Sequence, residues 1–202
     1  MKHKGRIGFV RHGETYANID RVWHGHTDTE LTPSGLQQAR KLGNHFHHYM
    51  KPDVIYASPL QRARLTAESI AKPFNLEVNL EPRLMEFGLG DWEGRTFESL
   101  SAKPSILDRL ASEPDFTAPG GESQNIVKRR IVSAIEDIVC RHEEQNILFV
   151  AHGITIAIAI AHYVEADTRR WVQYTKNNTA FSELCLNTKS LISFNQTTHL
   201  ED

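Results

Sequence analysis

Three short runs in this chain, Ile7-Gly8-Phe9-Val10, Val54-Ile55-Tyr56-Ala57 and Ile147-Leu148-Phe149-Val150-Ala151, are apolar almost without interruption. An alternating run marks a strand with one wet face, whereas a continuous run of this length marks a strand covered on both. Between the first two, Thr32-Pro33-Ser34-Gly35 joins an N-cap residue to proline at the first helical position and predicts a helix through Leu42 to about Met50. Ser58-Pro59 repeats the signal and predicts a helix over Leu60 to Ala71, stopped near Pro73. Ile126, Val127, Ile131, Ala134, Ile135, Ile138 and Val139 share one face at helical spacing, which predicts a long amphipathic helix feeding the third run. Gly153 to about Tyr163 reads as an apolar helix after it. Thr179 to Leu186 and Leu191 to Phe194 read as late strands, antiparallel if they pair directly. Residues 80 to 121, with Pro82, Pro104, Pro114 and Pro119 among several glycines, read as loops with one or two short helices laid over the sheet. The strand-helix-strand rhythm makes the expected fold α/β, a three-layer α/β/α arrangement around a mostly parallel sheet, and 202 residues suit one domain over residues 1 to 202.

The residues just past each buried strand point to chemistry. Val10 leads into Arg11-His12-Gly13-Glu14-Thr15, Ala57 into Ser58-Pro59-Leu60-Gln61-Arg62, and Ala151 into His152-Gly153. In a parallel sheet the carboxyl ends of the strands share the edge where ligands bind, so these distant segments converge. They bring together two guanidiniums, whose rigid donor forks match phosphate oxygens, and two imidazoles, beside helix N-termini that add backbone N–H groups. The natural guest is a phosphoryl group. A neutral histidine nitrogen can attack phosphorus while arginines neutralise the equatorial oxygens, a chemistry that requires no metal and no other cofactor. A leaving alkoxide needs a proton, hence a nearby carboxylic acid with a raised pKa. The best candidate is Glu86, in the loop Leu84-Met85-Glu86-Phe87-Gly88-Leu89-Gly90-Asp91-Trp92-Glu93-Gly94, where aromatic cover can partly desolvate a carboxyl group; Asp91, Glu93 and Glu81 are alternative acids in reach.

These segments carry a family resemblance. RHGET with Asn18, SPLQRARLTA, LMEFGLGDWEG, PGGES and VAHG, in that order, resemble the histidine phosphatase (phosphoglycerate mutase-like) superfamily, and Phe194 to Leu200 resembles the C-terminal end of its bacterial phosphatase branch. The resemblance implies that His12 becomes a phosphohistidine, that Arg11, Asn18, Arg62 and His152 hold the phosphoryl oxygens, and that Glu86 is the proton donor. It also matches Gly25, Asp28, Leu31 and Thr32 to a GxxDxxLT segment, which places His24 and His26 near the pocket mouth. The superfamily's cofactor-dependent mutases resemble ERHYGxLQG after the proton donor and continue with a longer insertion. The present EFGLGDWEG and the compact stretch to Pro119-Gly120-Gly121-Glu122-Ser123 resemble the phosphatases, including the α-ribazole phosphate enzymes and broad-specificity members. The expected partner is thus a small phosphorylated substrate. A mutase, or an inactive phosphate-binding scaffold on the same fold, is the alternative, though all six expected positions are filled by the expected type. Substrate preference resides in the variable residues 20 to 30 and 95 to 118.

Composition excludes other classes. With 23 basic and 25 acidic residues the formal charge is −2, which argues against nucleic acid. No apolar run approaches the ~18 residues of a membrane helix, and Ile7 to Val10 is too short for a secretory core, so a cytoplasmic protein is expected. Cys140 and Cys185 form neither a redox motif nor a disulfide framework. His45, His47 and His48 have no evident third ligand for zinc and read as a solvated helix face; Arg64 and Arg21 read as surface, and Trp23 and Trp171 either line the substrate or pack. The oligomeric state is not encoded legibly.

Overall fold

The computed structural model describes residues 3–101 and 109–201. Its sheet has six strands, β1 (Ile7–Arg11), β2 (Val54–Ala57), β3 (Val78–Leu80), β4 (Ile147–Ala151), β5 (Phe181–Cys185) and β6 (Ser190–Gln196), in the order β3-β2-β4-β1-β5-β6. The first four are parallel, while β5 joins β1 and β6 joins β5 antiparallel. The helices are α1 (Tyr16–Ile19), α2 (Pro33–His45), α3 (Gln61–Ala71), α4 (Phe97–Ser101), α5 (Gln124–Arg141) and α6 (Gly153–Glu165).

The continuous apolar runs arise from the layering. Ile7, Phe9, Tyr56, Ile147, Phe149 and Ala151 face α5 and α6, and the alternate residues Val10, Ile55, Ala57, Leu148 and Val150 face α2 and α3. Both faces are therefore dry, and each Val, Ile, Leu or Phe among these side chains contributes ~1.5–3 kcal/mol by burial. One helix start and one helix end differ from expectation. α3 begins at Gln61 behind Leu60, because the Ser58 hydroxyl accepts the Leu60 N–H (3.3 Å) and is engaged by His152. α2 ends at His45 and tightens into a 3₁₀ turn over Phe46–His48. The sequence also hides β3, a half-exposed edge strand of Val78, Asn79 and Leu80 too short for a periodic signal, and α1, opened by a Thr15–Asn18 capping box.

Because β2, β4 and β1 are adjacent and parallel, the residues after them emerge side by side. The His12 N–H donates to the Ala151 carbonyl (3.1 Å) and the Ser58 N–H to the Val150 carbonyl (3.0 Å). Gly13 then crosses the first turn of α2. A Cβ there would stand 2.6 Å from the Gly35 carbonyl oxygen, and one on Gly35 would stand 2.0 Å from that of Glu14, so two facing glycines permit the approach. Leu110 and Ala111, from the segment over the sheet, reach the cavity at this edge. Among the described residues no helix is long and apolar enough to cross a membrane.

Candidate active site

His12 is buried, and its Nδ1 lies 2.7 Å from the Gly13 carbonyl oxygen. A carbonyl only accepts, so Nδ1 carries the proton and Nε2 of the neutral ring bears the lone pair. Burial, then the charges of Arg62 and Arg11, hold the ring's pKa well below the ordinary 6.5. The result is a neutral imidazole with a fixed nucleophilic nitrogen. We expect the His12 ring signals in NMR to stay in this Nδ1–H form from pH 8 down through 6.5; a titration midpoint at or above 6.5 contradicts the assignment. The same depressed values carry a stability consequence. Below pH 6.5 the unfolded chain takes up protons that buried His12 and His152 refuse, so stability is full above that pH and declines as pH falls through it.

The backbone of His12 is held from far along the chain. Its carbonyl accepts the Thr179 N–H (3.2 Å) and the Asn178 side-chain amide (3.0 Å). Thr179 is left-handed (φ 56°), a rare state for a β-branched residue. Its hydroxyl donates to the Asn178 carbonyl (2.7 Å) and so accepts from His199 Nε2 (2.9 Å), whose Nδ1 in turn accepts from the Tyr49 hydroxyl (3.0 Å). Burial, then His45 and Lys41, push the His199 pKa down to about 4, keeping this relay neutral. Nothing local in the sequence announces residues 178, 179 and 199.

Arg62 is 2% exposed. Its Nε donates to His152 Nδ1 (3.2 Å), Nη1 to the Thr27 carbonyl (3.1 Å) and Nη2 to the Gly25 carbonyl (2.9 Å), with Asp28 Oδ1 at 3.6 Å. That engages three of the five guanidinium N–H groups. Since arginine only donates, His152 Nδ1 carries the lone pair and its Nε2–H donates to Ser58 Oγ (2.8 Å). His152 is fully buried, 5.2 Å from His12 between ring centroids, and Gly153 rather than His152 faces the cavity. In this structure both its ring nitrogens are thus taken up in fixing Arg62 and Ser58. Arg11 donates from Nη1 to the Lys176 carbonyl and packs Nε against Gly153; burial lowers its pKa, opposed by the charge of Glu86. Asn18 accepts with Oδ1 from the Thr15 N–H and the Asn178 amide (both 3.1 Å), which leaves its NH₂ group as the donor for an anion.

Glu86 is the one Asp or Glu on the cavity wall among the described residues. Its surroundings are donors rather than the apolar cover its loop suggests: Oε1 accepts from the N–H groups of Phe87 (2.9 Å) and Thr155 (3.0 Å) and the Thr155 hydroxyl (3.0 Å), and Oε2 from the Ile154 N–H (3.3 Å). The carboxylate therefore sits on the N-terminus of α6. The alternative acids are elsewhere. Glu93 accepts from the His26 and Thr27 N–H groups (2.9 and 2.7 Å), Glu81 pairs with Arg83 (2.8 Å), and Asp91 is exposed. Arg130 and Glu122, which sequence reasoning did not assign to the site, pin the Glu86 loop. Arg130 donates to the carbonyls of Arg83 (2.9 Å), Met85 (2.6 Å) and Glu86 (2.8 Å), and Glu122 accepts from Arg130 and the Gly88 N–H. Burial pushes the Glu122 carboxyl up, but Arg130 and His26 prevail and bring its pKa down to about 2.

Arg11, His12, Asn18, Arg62 and Glu86 line a cavity of about 470 Å³, whose wall also includes Trp23, His24 and Trp171. His26 turns to Glu122 (3.4 Å), Arg64 pairs with Glu68 (2.7 Å) on the surface, and Arg21 is exposed. His47 and His48 are exposed with His45 half-buried beside them. Of the variable segment 95 to 118, residues 102–108 lie outside the described residues.

A basic, histidine-centred pocket at the carboxyl edge of such a sheet invites comparison with known families. The sequence profile of the histidine phosphatase superfamily (branch 1) matches residues 7–194. The chain belongs to the histidine phosphatase superfamily. Its relatives there carry the names of phosphatases and of phosphoglycerate mutases. They include phosphoserine phosphatase 1 of Hydrogenobacter thermophilus, 31% identical over 96% of this chain and 94% of that one, and the adenosylcobalamin/α-ribazole phosphatase of Escherichia coli, 29% identical over 91% of each. A crystal structure of Entamoeba histolytica phosphoserine phosphatase with 3-phosphoglyceric acid superposes with a TM-score of 0.87 at 32% identity, covering 97% of this chain and 99% of that one. The chain's mostly parallel six-stranded sheet with helices on both faces is the fold it shares with such structural neighbours.

Proposed function

We propose that the chain hydrolyses a phosphomonoester of a small metabolite through a phosphohistidine on His12, without a metal ion. The observation that carries this is the fixed tautomer of His12, a neutral Nε2 lone pair beside Arg11 and Arg62, in a cavity whose one described acid is Glu86. In the first step Nε2 attacks phosphorus and the ester P–O bond breaks, the leaving oxygen taking a proton from Glu86. Arg11, the uncommitted N–H groups of Arg62 and the Asn18 amide bind the equatorial oxygens, while His152 keeps Arg62 aimed. In the second step water, deprotonated by Glu86, breaks the P–N bond and yields inorganic phosphate, restoring His12 and the protonated acid. Positioning and charge neutralisation supply most of the acceleration.

Glu86→Gln tests the acid directly. We expect kcat on alkyl phosphates to fall ~10²–10⁴-fold, the usual worth of a general acid, and p-nitrophenyl phosphate, whose leaving group needs little protonation, to lose far less. Equal losses on both point to another acid. Turnover of p-nitrophenyl phosphate that persists in chelator supports the metal-free route, and its abolition by chelator overturns that part. Appearance of 2-phosphoglycerate from 3-phosphoglycerate plus its bisphosphate, faster than phosphate release, supports the mutase instead.

A further inference from the structure

Beyond the phosphoryl site, the same cavity places a constraint on the alcohol that leaves. Arg11, Arg62 and Glu86 are all drawn to the phosphoryl group. Most of the rest of the described wall is apolar, Val22, Trp23, Phe87, Leu89, Leu110, Trp171 and Val172 among it, with Thr15, His24, Thr29 and Thr175 as its uncharged polar members. Lys176, also on it, is 4% exposed; its Nζ has no hydrogen-bond partner among the described residues and lies 5.8 Å from the Phe9 ring centre and 5.9 Å from that of Phe194, so aromatic faces surround it. A substrate ammonium would find no second carboxylate here, and a substrate carboxylate or second phosphate no arginine beyond Arg11 and Arg62, among the described residues. Burying such a charge unpaired is costly, whereas an apolar face laid against indole and aliphatic walls gains by burial.

We propose that the physiological substrate is a phosphomonoester of an uncharged alcohol bearing an aromatic or similarly flat apolar group, and that Trp171 and Val172 set this preference. The proposal rests on the phosphatase reading above. It separates this chain from its relatives named for phosphoserine, whose ammonium group finds no second carboxylate among the described residues of this wall.

The test compares kcat/KM for 2-phenylethyl phosphate, O-phosphoserine and 3-phosphoglycerate, three esters of aliphatic alcohols, with p-nitrophenyl phosphate as a control for turnover. Phenylethyl phosphate is expected to exceed both charged esters at least tenfold. Trp171→Phe retains part of that ratio and Trp171→Ala lowers it several-fold. Since Trp171 is buried, a second variant uses Val172, which is 50% exposed and can be changed without disturbing the core. Val172→Arg sets a solvent-exposed guanidinium on this wall and is expected to raise the ratio of kcat/KM for 3-phosphoglycerate to that for 2-phenylethyl phosphate at least fivefold; an unchanged ratio contradicts the role given to Val172. A wild-type ratio under tenfold, with p-nitrophenyl phosphate turned over, overturns the proposal and leaves the phosphatase reading standing. No release from any of the four esters overturns that reading and the proposal with it.

Discussion

His12→Ala is expected to lower kcat at least ~10⁴-fold on every phosphomonoester, because removing a nucleophile leaves only the binding and charge-stabilising residue of catalysis. The fold should survive. Among the described residues the His12 side chain bonds to the neighbouring Gly13 carbonyl alone, whereas the contacts that tie this loop to Asn178 and Thr179 use its backbone, which alanine keeps. The check is kcat measured alongside circular dichroism and a denaturant midpoint. A variant that folds and retains more than about a hundredth of wild-type turnover contradicts the assigned nucleophile.

The second large effect is expected at Arg62. Arg62→Ala removes a charge from beside the phosphoryl group and also strips partners from the Gly25 and Thr27 carbonyls and from His152 Nδ1, all within a site where the arginine is 2% exposed. We expect kcat/KM to fall ~10³-fold or more and unfolding free energy to fall ~3–5 kcal/mol, as when one member of a buried polar network is deleted. Arg62→Lys restores charge but not the three-way fork, so it should recover part of the stability and little of the activity. The charge of Arg62 also helps depress the pKa of both His12 and His152. Its loss therefore moves their protonation up toward 6.5, and residual activity should decline on the acid side at a higher pH than in wild type. Full activity in Arg62→Ala contradicts the placement of the guanidinium at the phosphate.

Much of this was legible in the chain itself, for identifiable reasons. Strands β1, β2 and β4 are dry on both faces, and that forces a short continuous apolar run in each. The residues at their ends had to be polar to do chemistry, so the transition from Val10 to Arg11-His12 or from Ala151 to His152 marks both the strand end and the site. The hidden part depends on contacts between distant segments. Ser58 looked like a helix cap because serine before proline usually is one; it is instead committed to His152, 94 residues away. The donor-rich seat of Glu86 comes from Ile154 and Thr155, whose sequence reads only as part of an apolar helix. Arg130 looks like any charge on an amphipathic helix until its carbonyl partners in the Glu86 loop are seen. The support of His12 by Thr179 and His199 likewise exists only once the antiparallel strands β5 and β6 return the C-terminal segment to the edge of β1.

The stereochemical course at phosphorus tests the central claim most directly. A phosphohistidine requires two in-line displacements, so hydrolysis of a chiral, isotopically labelled phosphorothioate monoester in labelled water is predicted to proceed with net retention of configuration. Net inversion, the signature of a single direct attack by water, would contradict it.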